Sequence, residues 1–121
     1  MNASNRRHTR YTVPEGALAD QKLRPQGMLS GLRGWTDCRV RDMSIAGALV
    51  LARKSLGSGS AVSIKLILRT GEELIYHGTV VNVSDGGRGE YRLGVSLGDV
   101  QPGTQEHTFL HDLASVFPPA L

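Results

Sequence analysis

The sequence predicts an all-β fold, a small barrel of five to seven strands with one helix packed on its rim. Fifteen glycines separate short apolar runs at turn-like intervals, which is the pattern of a domain built from short strands. Within several runs apolar and polar residues alternate, so that one face of each strand can be buried. The last apolar segment changes to helical spacing, which predicts one terminal helix.

The predicted strands become clear from the second third of the chain onward. Residues 14–35 give a weak signal: "VPEGALADQKL" (13–23) is a candidate first strand, and "RPQGMLSGLRGW" (24–35) resembles a loop. Five later runs have strand composition: "TDCRVRDM" (36–43), "GALVLA" (47–52), "AVSIKLIL" (61–68), "ELIYHGTVVNV" (73–83) and "EYRLGVSL" (90–97).

Alternation inside these runs predicts which side chains enter the core. We expect inward positions at Val62, Ile64, Leu66, Leu68, Tyr91, Leu93, Val95 and Leu97, with Arg92, Gly94 and Ser96 facing outward. Gly78 interrupts a long strand and predicts a bulge or bend there. Residues 69–73 and 84–90 have the composition of hairpin loops.

The helix is predicted over residues 104–117. Its apolar residues recur at helical spacing, namely Phe109, Leu110, Leu113, Val116 and Phe117. Thr104 is placed to cap the helix, and Pro118-Pro119 ends it. We therefore expect an N-terminal arm over residues 1–12 and a barrel domain over 13–117 that includes this helix.

Composition limits the class of protein. The chain has 121 residues and a net charge of +3, which suits one globular domain. No apolar run approaches the roughly 20 residues of a membrane helix, and no apolar stretch follows the first arginines as in a signal peptide. The single cysteine, Cys38, has no partner for an internal disulfide. We therefore expect a cytoplasmic protein without membrane insertion.

Positive charge is concentrated in the first half. Residues 1–60 carry ten Lys/Arg and four Asp/Glu, whereas residues 61–121 carry four and seven. The first half has a net charge of +6 and the second half −3. This asymmetry indicates that the first half attracts an anion such as a phosphate.

The usual catalytic and metal-binding patterns are missing. There is no Gly-x-Ser-x-Gly elbow and no Gly-rich phosphate loop. His107 and His111 have a metal-compatible spacing on a helix, but no third ligand is near them in sequence. Ser44, His8 and Asp42 contain the residue types of a catalytic triad without a nucleophile elbow or an oxyanion hole. We therefore expect neither an enzyme nor a metal site.

Two polar stretches remain, "RRHTR" (6–10) and "DMSIAG" (42–47). Alone, the first is a solvated tail and the second an ordinary β-turn. Together they could form an anion site, because arginine makes two parallel charge-assisted bonds to a phosphate. Asp42 and Ser44 could bind the donor edge of a purine or orient an arginine. Gly47 is free to take positive φ.

This pair of stretches resembles the signature of PilZ domains, which are bacterial receptors for cyclic di-GMP. Arg6, Arg7 and Arg10 match its Arg-Arg-x-x-Arg motif. Asp42, Ser44 and Gly47 match its Asp/Asn-x-Ser-x-x-Gly motif. "YRLGVSL" (91–97) is similar to the last barrel strand of that family. The resemblance implies a six-stranded antiparallel β-barrel of the PilZ type with a C-terminal α-helix.

The resemblance also implies a function. The three arginines and the second motif would bind cyclic di-GMP as a ligand, with no cofactor and no chemistry. Binding would order the N-terminal arm and signal to an unidentified protein target, in processes such as motility, exopolysaccharide production and biofilm formation. Binding to nucleic acid is not expected.

Three other functions stay open at this point. The chain could be a PilZ-like interaction module that binds no nucleotide. Its basic first half could belong to a small nucleic-acid-binding barrel, although its six aromatic residues are few for a stacking platform. An enzyme is the weakest of the three.

Overall fold

The domain is one antiparallel sheet that closes on itself, followed by two short helices. The computed structural model describes residues 8–26 and 34–120. Its elements are β1 (Tyr11–Thr12), β2 (Asp20–Pro25), β3 (Thr36–Met43), β4 (Gly47–Ala52), β5 (Ala61–Ile67), β6 (Glu73–Gly87), β7 (Glu90–Leu97), α1 (Gln105–His111) and α2 (Leu113–Val116).

Six strands form a closed barrel. Their order is β2-β3-β4-β7-β6-β5, and β5 pairs with β2 to close the ring. Strand β1 is an addition, because among the strands it pairs with β3 alone, at the last two residues of β3 and beyond the part of β3 that pairs with β2. Closure leaves the six barrel strands paired on both sides over much of their length. The predicted fold class is confirmed.

The core fills the interior of this barrel as the alternation predicted. Residues Val62, Ile64 and Leu66 of β5 are buried, as are Leu93 and Val95 of β7. The predicted inward residues at the strand ends, Leu68, Tyr91 and Leu97, are only partly covered. The largest side chains with the least exposure come from all six barrel strands and one helix: Leu23, Val40, Val50, Val62, Leu66, Leu74, Val80, Leu93 and Leu113.

The region that gave a weak sequence signal holds one strand, β2. Strand β2 lies over Asp20–Pro25, so it begins seven residues after the start of the candidate strand and enters the expected loop. Only Leu23 of β2 is fully buried. The strand is therefore held mainly by backbone pairing to β3 and β5, which local sequence does not reveal. Part of the expected loop, residues 27–33, lies outside the described residues.

Strand β6 is longer than predicted. It continues through most of the expected loop to Gly87 and pairs with β7 as far as Glu90. The turn is confined to Arg88 and Gly89, which both have positive φ, 56° and 76°. Composition indicated a loop here, but pairing to β7 decides the local structure.

Gly78 does not form the predicted bulge. The register shifts at Val81, whose side chain is 57% exposed. A Cβ at Gly78 would lie 2.4 Å from the carbonyl oxygen of Ser96. Glycine is therefore needed because β7 approaches closely, and the bend occurs three residues later.

The predicted helix is divided at Asp112. Thr104 caps α1 as expected, since its Oγ1 accepts a hydrogen bond from the His107 N–H at 3.1 Å. Within α2, Leu113 is buried, whereas Val116 is 50% exposed. No helix within residues 8–26 and 34–120 is long and apolar enough to span a membrane.

Helix α1 is attached where β6 extends beyond the end of β7. The Glu106 carboxylate accepts a hydrogen bond from the Ile75 N–H at 3.0 Å. The Tyr76 hydroxyl donates to the Glu106 carbonyl at 2.9 Å. Burial, together with the nearby Glu106 carboxylate, raises the pKa of Tyr76. The two hydrogen bonds give partners to the Ile75 N–H and the Tyr76 hydroxyl, in the part of β6 that β7 does not reach, and they fix α1 on the barrel.

Candidate ligand-binding site

The basic stretch reaches the barrel between β3 and the C-terminal segment. Strand β1 pairs with the last two residues of β3. On its other side, the Thr12 N–H donates to the Pro118 carbonyl, and the Ala120 N–H donates to the Arg10 carbonyl, each at 2.8 Å. Backbone bonds therefore fix the end of the basic stretch from Arg10 onward.

The structure brings Arg10 and Asp42 together. Thr12 lies directly opposite Asp42 in the register of β1 and β3, and Arg10 precedes Thr12 by the two-residue period of a strand. Both side chains therefore lie on the outer face of the barrel. The Arg10 Nη1 and Asp42 Oδ1 atoms are 3.8 Å apart, with 52% of the Arg10 side chain and 17% of the Asp42 side chain exposed. Arg6 and Arg7 lie outside the described residues.

Ser44 forms the turn between β3 and β4. Its side chain is buried, and its Oγ accepts hydrogen bonds from the N–H groups of Ala46 (3.1 Å) and Gly47 (3.2 Å). The Ser44 N–H donates to the Gly47 carbonyl at 2.8 Å. This is the serine-centred turn that such short polar side chains favour. Ser44 thus shapes the turn that follows Asp42.

Gly47 does not have the positive φ that its motif position suggested. It is the first residue of β4 and lies opposite Ser96 of β7. A Cβ at Gly47 would lie 2.9 Å from the Val95 carbonyl oxygen, closer than a Cβ normally approaches a backbone atom. The freedom of glycine to take positive φ is not used at this position, and the reason for glycine is the close approach of β7.

Sequence reasoning missed the surface beside Asp42. The strand registers place Asp42, Leu49, Gly94 and Asn82 in one row across β3, β4, β7 and β6. Leu49 is half-buried, and Gly94 has no side chain. A flat apolar strip therefore extends from the Asp42 carboxylate, and it is suited to the face of a planar ring. The outward position of Gly94 in an alternating strand is the sequence signal for it.

Arginines border this strip. Arg39 and Arg41 are exposed on β3, and Arg92 is exposed on β7. Arg39 and Arg92 both lie opposite Leu51 of β4, so the three form the next row of the same outer face. Their charge makes this face attractive to an anion.

The surroundings of Cys38, and of the pair His107 and His111, favour structural roles for these residues. Burial raises the pKa of the Cys38 thiol to about 12, so the thiol stays protonated at neutral pH. The rings of His107 and His111 pack with their centroids 4.2 Å apart. Within the described part of the chain, no group of three or more His, Cys, Asp or Glu residues could hold a metal ion.

Comparisons with known proteins agree with this architecture. The family model for the PilZ domain matches residues 4–112. The inhibitor of motility MotI/DgrA from Bacillus subtilis has a TM-score of 0.67 at 13% identity, covering 91% of this chain and 50% of that one. MrkH from K. pneumonia, solved as a complex with c-di-GMP, has a TM-score of 0.66 at 16% identity, covering 91% and 52%.

These TM-scores establish similarity of fold. The chain spans about half the length of each of these two solved proteins. No curated protein sequence matches the chain.

Proposed function

Because this chain belongs to the PilZ domain family, we propose that it is a receptor for cyclic di-GMP that signals by binding and performs no chemistry on the ligand. The observation that carries the proposal is the meeting of the two motifs at Arg10 and Asp42 on the outer face of the barrel. Of the proteins compared, MrkH was solved as a complex with c-di-GMP.

Each part of the site has a role in this proposal. Arg10 donates two parallel hydrogen bonds to a phosphate of the ligand. Asp42 accepts from the N–H edge of a guanine, whose face lies on the strip formed by Leu49 and Gly94. The Arg10 side chain is half exposed, so it can turn from Asp42 toward a phosphate of the ligand at little cost.

Ser44 and Gly47 act together in the second motif. The hydroxyl of Ser44 holds the N–H groups of the turn, and Gly47 allows β4 to lie close to β7. We propose that they position the Asp42 carboxylate and the backbone of the turn for the second side of the guanine.

We further propose that the ligand orders the segment that contains Arg6 and Arg7. Residues 1–9 contain Met1 and Ala3 as their aliphatic side chains, so they have little surface to bury. Ordering costs about 1–2 kcal/mol per residue, and two charge-assisted contacts return about 1.5–3 kcal/mol each. Ordering therefore extends over only a few residues before Arg10, and the ordered arm presents a new surface to a target protein.

Titration calorimetry of the purified chain with cyclic di-GMP tests the receptor function. We expect a Kd between sub-micromolar and tens of micromolar, about −6 to −9 kcal/mol, with no comparable heat from GTP or cyclic AMP. A flat trace at high ligand concentration rejects the proposal. Equal affinity for single-stranded RNA would support a nucleic-acid-binding barrel in its place.

Hydrogen exchange followed by mass spectrometry tests the ordering of the arm. We expect the peptide before Arg10 to exchange at once without ligand and to gain protection with cyclic di-GMP. Strands β5 and β7 provide the internal control, because their protection should not change. Strong protection of residues 5–9 in the ligand-free protein would mean a preformed site.

A further inference from the structure

A cleft of about 300 Å³ lies between the β5–β6 hairpin and helix α1, outside the site described above. Leu68, Leu74 and Phe109 form its apolar floor, and Glu72 and Asp112 stand at its rim. Leu74 is fully buried, whereas Leu68 and Phe109 are half-buried. The floor can therefore receive an apolar side chain.

The charge of this cleft is opposite to that of the ligand site. Both charged residues of the lining, Glu72 and Asp112, are acidic and exposed. One Glu72 oxygen accepts a hydrogen bond from the Thr70 hydroxyl at 3.1 Å. Asp112 lies at the junction of the two helices, but its side chain makes no capping hydrogen bond there. Two carboxylates above an apolar floor complement a cation that carries apolar neighbours.

Helix α1 connects this cleft to the N-terminal arm. Thr104, Thr108 and Phe109 of the helix region face the cleft. On the opposite flank, Leu110 and His111 border a second cleft of about 240 Å³ together with residues of the arm, His8, Thr9 and Tyr11. The same helix therefore borders both the proposed ligand-ordered arm and the acidic cleft.

We infer that this acidic cleft is the docking site for a partner protein segment that presents a lysine or arginine beside apolar side chains. The cation lies between the Glu72 and Asp112 carboxylates, and the apolar neighbours cover Leu68 and Phe109. The inference rests on the proposed receptor function, because it supplies the surface through which such a receptor transmits its signal.

Nuclear magnetic resonance of the isotope-labelled full chain tests this docking site without nucleotide. The probes are the capped tripeptides acetyl-Leu-Arg-Leu-amide and acetyl-Leu-Glu-Leu-amide. We expect the arginine peptide to shift the amide signals of Leu68, Thr108 and Phe109, and the glutamate peptide to leave them in place. Shifts that are equal for both peptides, absent, or confined to other surfaces would overturn the inference.

A double variant tests the role of the two carboxylates. In Glu72→Gln/Asp112→Asn the affinity for the arginine peptide should fall about five- to tenfold, as expected for two exposed ion pairs. The matched control is Asp85→Asn/Glu90→Gln, which removes the same charge from the β6–β7 hairpin and should leave the affinity unchanged. Equal losses in both variants would show only a general charge effect and would overturn the docking site.

The two proposals can fail separately. Calorimetry with cyclic di-GMP on the same double variant measures the ligand site, which contains neither Glu72 nor Asp112, and we expect unchanged affinity there. Peptide binding without nucleotide binding would reject the receptor function and retain the acidic cleft. Nucleotide binding without peptide binding would reject the acidic cleft as a docking site and retain the receptor function.

Discussion

Replacing Gly47 distinguishes the two reasons for which a chain can require glycine. The structure gives this residue no positive φ, but it places a Cβ 2.9 Å from the Val95 carbonyl oxygen. Because the opposing atom belongs to the backbone, relief requires β4 and β7 to separate. Overpacking of this kind costs about 1–3 kcal/mol. We therefore expect Gly47→Ala and Gly47→Asn to lower the free energy of unfolding by similar amounts.

Gly59 provides the matched control. It has a φ of +93°, and a Cβ there would meet no atom within 4 Å. Asparagine accepts positive φ more readily than alanine, so Gly59→Asn should be more stable than Gly59→Ala. At Gly47, where the obstacle is a neighbouring strand, asparagine should have no such advantage.

Urea denaturation of the four variants gives the free energies, and calorimetry gives their affinity for cyclic di-GMP. Each kcal/mol should lower Tm by roughly 4 °C in a domain of this size. The Gly47 variants should also bind more weakly, because the turn that follows Asp42 is displaced. If Gly47→Asn were clearly more stable than Gly47→Ala, the explanation by close approach would be refuted.

Three further perturbations have defined outcomes. Arg10→Ala should weaken cyclic di-GMP binding in calorimetry about 10- to 100-fold by removing a charge-assisted contact, with little change in Tm because the side chain is exposed; a large loss of Tm with intact binding would contradict this. Thr104→Ala should lower the free energy of unfolding in urea by about 1 kcal/mol, because it removes the acceptor for the His107 N–H, whereas Thr104→Ser should not; equal stabilities would exclude the cap. Burial raises the pKa of the Cys38 thiol from 9.0 to about 12, so the stability that this thiol contributes is full below pH 9 and is lost as the pH rises toward 12. Urea denaturation across that range, compared with Cys38→Val, should show the difference; parallel pH profiles would contradict it.

The accuracy of the sequence predictions depended on where the stabilising contacts lie. Strands β3, β4 and β7 have the predicted bounds, because alternating apolar side chains determine them locally. Strands β1 and β2 bury few side chains and exist through backbone pairing with β3 and β5, which are distant in sequence. The division of the helix at Asp112 likewise gave no sequence signal.

The candidate site, like the fold, was predictable from the sequence in part. The resemblance brought Arg10 and Asp42 into one site, and the structure places them together. The strip of Leu49 and Gly94 follows from the registers of two strand pairs, and a register cannot be read from one strand alone. The need for glycine at position 47 depends on the position of Val95, 48 residues along the chain, which local turn rules do not include.

The hydrogen bond between Ala120 and Arg10 has a consequence for how this domain can be joined to other proteins. Its donor and acceptor are 2.8 Å apart, so polypeptides fused before and after the domain leave the barrel at neighbouring points. The domain can therefore be inserted into a surface loop of a host protein without separating the two ends of that loop. Two fluorescent reporters fused to the two ends of the chain would be tethered to neighbouring points of the barrel, the first through residues 1–9. A ligand that draws the preceding residues across the barrel would change the separation of the first reporter while the second kept its attachment.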